Sequence, residues 1–88
     1  FPYTTLFRSI NIYPNPNKGV FTISFTGFEN EKVQLTILDL QGRSVVNEQL
    51  TVNSEFNKEV DLSRLPKGMY FLRVNTTDDV FTKKILVE

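Results

Sequence analysis

The sequence predicts an all-β domain built as two antiparallel sheets packed face to face. Three observations carry this expectation. Apolar and polar residues alternate along several short runs; Gly, Pro and Asn/Asp clusters separate those runs at close spacing; and no stretch sustains a helical period. The connections are too short for the helical crossovers that parallel strands need, so the pairing is expected to be antiparallel.

In chain order, Ile10 to Tyr13 is a brief apolar-polar alternation, followed by Pro14-Asn15-Pro16-Asn17-Lys18-Gly19. Each proline fixes φ and lacks an N–H, which keeps this piece out of the middle of a sheet. Gly19 can take φ > 0 and end the turn. Val20 to Phe25 places Phe21, Ile23 and Phe25 on one face and Thr22 and Ser24 on the other, as in a half-buried strand. After a polar turn from Gly27 to Glu31, Val33, Leu35 and Ile37 alternate with Gln34, Thr36 and Leu38. Asp39-Leu40-Gln41-Gly42 reads as a hairpin turn, and Arg43 to Thr51 as the returning strand. Asn53-Ser54 is another turn, and Glu55 to Val60 is short and polar enough for an edge strand. Asp61 to Leu65 is expected to make one helical turn with Asp61 as its cap. Pro66-Lys67-Gly68 reads as a β-turn. Met69 to Asn75 and Val80 to Val87 are the last strands, separated by Thr76-Thr77-Asp78, which makes about seven in all.

The 88 residues suffice for one domain, and a chain of this length hides roughly 60–65% of its unfolded surface on folding. Eight phenylalanines supply large buried areas from few positions, so a small sandwich has the material for a core. Ten basic residues balance ten acidic ones. Such a chain has no strong long-range field, which argues against nucleic acid as a partner. With no cysteine and no histidine, disulfides, thiolate metal sites and the commonest general base are all absent.

The chemistry-bearing residues form no catalytic pattern. No serine lies in a G-x-S-x-G elbow, and there is no histidine to complete a triad. Asp78-Asp79 and Glu29/Glu31 are neighbours in turns, whereas glycosidic chemistry needs two carboxyls facing each other across a cleft. Asn11, Asn15 and Asn17 lie near Gly19, but a calcium loop would bring aspartates as well, so these asparagines read as turn residues. The sequence implies no enzyme, cofactor or metal.

No apolar run is long enough to span a bilayer as a helix, and no secretory leader opens the chain. The chain reads as a piece from the end of a longer protein. Residues 1–9, Phe-Pro-Tyr-Thr-Thr-Leu-Phe-Arg-Ser, do not join naturally to the rest of the chain and look like a translated sequencing adapter or a linker. The natural domain is expected to span residues 10–88. Its last strand carries apolar groups on both faces and two adjacent lysines, Lys83 and Lys84. One reading is a sandwich strand whose lysines reach to water; the other is a recognition strand offering its edge or outer face to a receptor.

Four segments together resemble the C-terminal sorting domain of the type IX secretion system of Bacteroidetes, the Por secretion tail. Tyr13-Pro14-Asn15-Pro16-Asn17-Lys18-Gly19 resembles its Y-P-N-P-x-x-G opening. Asp39-Leu40-Gln41-Gly42-Arg43 is similar to its D-x-x-G-R hairpin, Leu65 to Val74 to its L-x-x-G-x-Y-x-x-x-V segment, and Lys83 to Val87 to its basic-apolar end. The resemblance covers about Ile10 to Glu88, and order and spacing make it specific.

The resemblance implies an immunoglobulin-like sandwich acting as a non-catalytic sorting signal. Such a signal directs an N-terminal cargo domain through the periplasm and across the outer membrane, to the cell surface or the medium. Its implied partners are the outer-membrane translocon and a sortase-like surface peptidase that removes the tail. Pro14, Pro16 and Gly19 would shape the opening turn, with Tyr13 and Asn15 in the same motif. Gly42 and Gly68 would hold two hairpin corners, with Arg43 in the motif of the first. Tyr70, Lys83, Lys84 and Ile85 would face the receptor, with core packing as the other reading of Tyr70. The alternative function is a carbohydrate-binding or fibronectin-like adhesion module of a surface protein, which would show an exposed row of aromatic rings.

Overall fold

A computed structural model describes residues 8–53 and 55–88. They form seven strands: β1 (Ser9–Tyr13), β2 (Val20–Thr26), β3 (Glu31–Leu38), β4 (Ser44–Val52), β5 (Phe56–Asp61), β6 (Gly68–Asn75) and β7 (Val80–Val87). All neighbouring strands run antiparallel, in a three-stranded sheet of order β1-β2-β5 and a four-stranded sheet of order β4-β3-β6-β7. Seven strands divided between two facing sheets is the plan of an immunoglobulin-like sandwich. β5 lies at a sheet edge, as its polar composition predicts.

Period-two alternation decides which residues fill the space between the sheets. Phe21, Ile23 and Phe25 of β2 face Val33, Leu35 and Ile37 of β3 and Tyr70, Leu72 and Val74 of β6, all buried in one core. At one end the rings of Phe25, Phe28 and Phe56 meet edge-on, with centroids 5.5 and 5.8 Å apart, the arrangement that ring quadrupoles favour. The open sides of the sandwich are closed differently. On one side, inward-pointing Glu48 of β4 and Lys58 of β5 form an ion pair across the two edge strands at 3.2 Å. On the other, Lys83 of β7 occupies an inward-pointing position opposite buried Leu72 yet stays exposed. Inward-pointing charges on edge strands oppose edge-to-edge association.

Asp61 to Leu65 makes a single turn, closed through the Leu65 N–H to the Leu62 carbonyl at 3.0 Å and capped by Asp61 as expected. The Asp61 carboxylate accepts the Ser63 N–H and hydroxyl at 2.8 and 2.6 Å. Pro66-Lys67-Gly68 is a bend without the backbone bond of a closed β-turn; the corner is held by the Tyr70 hydroxyl donating to the Pro66 carbonyl. At the other end of the chain, β1 begins at Ser9, which pairs with Thr26, one residue ahead of the expected domain start. Arg8 pairs with Glu31 at 2.9 Å and with Asp79, its guanidinium 5.4 and 5.7 Å from the ring centres of Phe28 and Phe81. Residues 1–7, the bulk of the adapter-like stretch, and Ser54 of the Asn53-Ser54 turn lie outside the described residues.

Candidate functional site

The opening motif folds back as a clamp on the terminal strand. Asn15 and Asn17 alternate with two prolines in a stretch of bends, where the prolines carry no N–H to satisfy. The Asn15 carboxamide donates to the Lys84 carbonyl at 2.9 Å and accepts the Leu86 N–H at 3.0 Å. It thereby does what a residue of a paired strand does, because a carboxamide holds one donor and one acceptor in the geometry of a peptide unit. Asn17 continues the contact with its backbone: its N–H donates to Leu86 O at 2.9 Å, and its carbonyl accepts the Glu88 N–H at 2.8 Å. This is a parallel bridge to Val87. The Asn17 side chain is buried and fully used, accepting the Gly19 N–H at 2.9 Å and donating to Pro14 O at 3.0 Å. The motif stays out of the middle of a sheet, as its prolines predict, and Asn17 makes a single isolated bridge to the free edge of β7. A lower half of β7 that a partner would find as an open edge is occupied by the chain itself.

Gly19 explains why the motif ends in glycine. Its φ is +115°, and a Cβ there would lie 2.7 Å from the Ser63 Cα in the turn after β5. Its carbonyl accepts the Leu62 N–H. The opening motif therefore rests on β7 through its asparagines and on the Asp61–Leu65 turn through its glycine.

The second motif is a hairpin wound around Asp39. The Gly42 N–H donates to Asp39 O at 3.0 Å, the Asp39 N–H to Arg43 O at 2.9 Å, and Gly42 has φ +85°. This is the three-residue hairpin loop with a left-handed residue at its end. One carboxylate oxygen of Asp39 accepts the N–H groups of Gln41 and Arg43, and the other the Arg43 guanidinium, each at 2.9 Å. The Arg43 backbone bond above all, then its side chain, holds the Asp39 carboxyl below the usual aspartate range. Asp61 is lowered too, first by the Ser63 hydroxyl and then by its N–H.

These two carboxyls make stability depend on pH. A carboxyl whose pKa is depressed on folding stabilises the native state above its unfolded value and loses that contribution as pH falls through the folded one. The urea midpoint should therefore decline below about pH 4, the unfolded aspartate value. An Asp39→Asn/Asp61→Asn chain should decline less steeply, and an identical slope in the two proteins would contradict this account.

All four motifs meet at one end of the four-stranded sheet. The β3–β4 hairpin closes there beside the start of β6, and Gly68 pairs with Val87 at the end of β7. A shallow depression lies between the second and third motifs, lined by Asp39, Leu40, Arg43, Pro66, Lys67 and Tyr70. Of the residues expected to face a receptor, Lys83 and Lys84 are exposed. Tyr70 and Ile85 are corrected to the interior, 3% and 0% exposed. Tyr70 alternates in phase with Leu72 and Val74, and Ile85 with Val87, so the strand period turns them inward; the Tyr70 hydroxyl reaches the corner backbone, as a tyrosine at the start of such a strand commonly does. Tyr13 is half exposed on the outer face of the three-stranded sheet, and Pro14, Asn15, Pro16 and Arg43 are at the surface. The sequence reads Asn17 as a turn residue and Asp39 as part of its hairpin motif, and gives neither a contact of its own. Their signals were present: an Asn two positions from Asn15, and an acid four positions before Arg43 in a glycine turn.

The arrangement defines a small β-sandwich module whose distinctive residues converge on its own C-terminal strand. Among the described residues no acidic cluster has the geometry of a metal site, and no helix is long and apolar enough to cross a membrane. The chain belongs to the secretion system C-terminal sorting domain family, which it matches over residues 11–88. Domains of this family are sorting signals for type IX secretion, and they take attached cargo across the outer membrane to the cell surface or the medium. The chain is similar to an ulvan lyase, NLR42, of the Bacteroidetes species Nonlabens ulvanivorans. Identity is 36% over 80 residues, covering 90% of this chain and 14% of the lyase. The chain thus spans about one-seventh of the length of the curated relative it matches.

Proposed function

We propose that the chain is a non-catalytic tail, natural from about Ile10, whose folded surface is read by the outer-membrane type IX translocon. A sortase-like surface peptidase then removes it from its N-terminal cargo. The observation that carries this reading is the family match over residues 11–88, nearly the whole described sandwich. The geometry is in keeping with it. Asp39, Asp61, Asn15 and Asn17 are held by backbone groups of their own domain, and the exposed Lys83 and Lys84 form no ion pair among the described residues. The rival reading, a carbohydrate-binding or adhesion module, calls for a row of exposed rings. Tyr13 and the half-buried Phe71 lie on opposite outer faces and form no such row.

The test is delivery. Residues 10–88 fused behind a signal peptide and a fluorescent reporter in a Bacteroidetes host should carry the reporter to the surface or the medium. Delivery should stop in a strain lacking the translocon, and the tail should remain attached in a strain lacking the peptidase. A reporter that stays periplasmic while the tail is folded would overturn the proposal.

A further inference from the structure

The two outer faces of the sandwich differ in charge, although the chain as a whole is balanced. Strand pairing places Asn47, Gln49 and Thr51 of β4, Lys32, Gln34, Thr36 and Leu38 of β3, and Met69, Phe71, Arg73 and Asn75 of β6 on the outside of the four-stranded sheet. Val80, Thr82, Lys84 and Leu86 of β7 complete that face. Its strand positions hold three cations, Lys32, Arg73 and Lys84, and no carboxylate. The outer face of the three-stranded sheet holds Glu59 and Asp61 and no cation.

Apolar groups gather where the motifs meet. Leu38 is paired to Phe71, Phe71 to Lys84, and Met69 to Leu86, with Leu40 two-thirds exposed on the adjoining hairpin. A shallow depression in this face is lined by Leu38, Leu40, Phe71, Arg73 and Thr82, with Asp39 and Gly42 of the hairpin at its rim. Arg73 forms no ion pair among the described residues. Asp39, which lines the same depression, is already engaged by Arg43.

We infer that the outer face of the four-stranded sheet is the docking surface, and that its partner is a protein surface with an apolar side chain ringed by carboxylates. The apolar group would enter the depression beside Phe71, and a carboxylate would meet Arg73. Met, aromatic and Arg side chains at the centre of a polar surround are the composition of protein–protein contacts. A face with three cations and no carboxylate at its strand positions would steer an acidic partner and disfavour a basic one. This deepens the sorting reading and rests on it: the partner would be the receptor component of the translocon.

The experiment uses the purified 88-residue chain and outer-membrane vesicles from a Bacteroidetes host, alongside protein-free liposomes made from lipid of the same vesicles. The wild-type chain should bind the vesicles, and binding should weaken as salt is raised. Arg73→Glu/Lys84→Glu should bind about tenfold more weakly or less, whereas Glu59→Lys on the opposite face should bind as wild type. All three chains should melt within a few degrees of one another, since the substituted side chains are exposed. Unchanged binding by a folded Arg73→Glu/Lys84→Glu chain would overturn the inference, as would equal binding to the protein-free liposomes. Reporter delivery separates the two levels. If the wild-type tail exports its reporter and the charge-reversed tail does so equally well, the docking face is wrong and the sorting reading stands; if the folded wild-type tail exports nothing, both fall.

Discussion

A chain ending at Thr82 should not fold. Deleting Lys83–Glu88 removes Ile85 and Val87, which are 0% and 3% exposed, and with them the pairs Tyr70–Ile85 and Gly68–Val87. The upstream residues lose as much. Asn15 would lose both partners of its carboxamide, and Asn17 both backbone bonds to Leu86 and Glu88. Each large aliphatic side chain taken from a core costs about 2–5 kcal/mol, and unmet groups at Asn17, the buried one of the two asparagines, add about 1–3 kcal/mol. Together these exceed or match the roughly 5–15 kcal/mol that holds a small domain folded. Near-ultraviolet circular dichroism and a urea titration should show no cooperative transition, whereas a sharp one near the wild-type midpoint would contradict the clamp. Loss of export on truncation is therefore no measure of a terminal recognition peptide. Charge reversal at Lys83 or Lys84, both exposed, leaves the fold in place and addresses recognition directly.

Gly19→Ala should cost far more stability than Gly42→Ala. The added Cβ would stand 2.7 Å from the Ser63 Cα and 2.9 Å from its nitrogen. Both are backbone atoms of a turn fixed by Asp61 and by the Leu62 N–H bond to Gly19 O, so neither can yield without breaking those bonds. The backbone at φ +115° is also one that side-chain-bearing residues rarely adopt. Overlap and backbone strain together suggest about 2–4 kcal/mol, a large fraction of the total. Gly42→Ala is the internal comparison. Its φ is +85°, but nothing lies within 4 Å of the added carbon, so the left-handed backbone alone should cost about 1–2 kcal/mol. Chemical denaturation of the two variants checks the order; equal losses would show that the Gly19–Ser63 approach contributes nothing.

Much of the architecture was legible along the chain because the signals for strands are local. Alternation at period two marked all seven strands to within a few residues, and Gly42 sat where a left-handed residue closes the β3–β4 hairpin. The same period held the correction for Tyr70 and Ile85, which stand in phase with Leu72, Val74 and Val87. It also marks Lys83 as an inward-pointing position on an edge strand. Where a local pattern had two physical solutions, the expectation missed. At Pro66-Lys67-Gly68 a closed β-turn gave way to a corner held by Tyr70.

By itself, then, the sequence determined the fold class, the strands, the family and the sorting function. Each of these is written in residue order, and neighbours in the chain report it. Only the tertiary structure decided that Asn15 and Asn17 hold the strand roughly seventy residues further on, that four separated motifs share one end of a sheet, and that the strand positions of one outer face are acid-free while those of the other are cation-free. Those facts depend on which strands pair and in what register. Pairing is a contest among all the edges and apolar faces of the folded chain, and no single stretch of sequence contains its outcome.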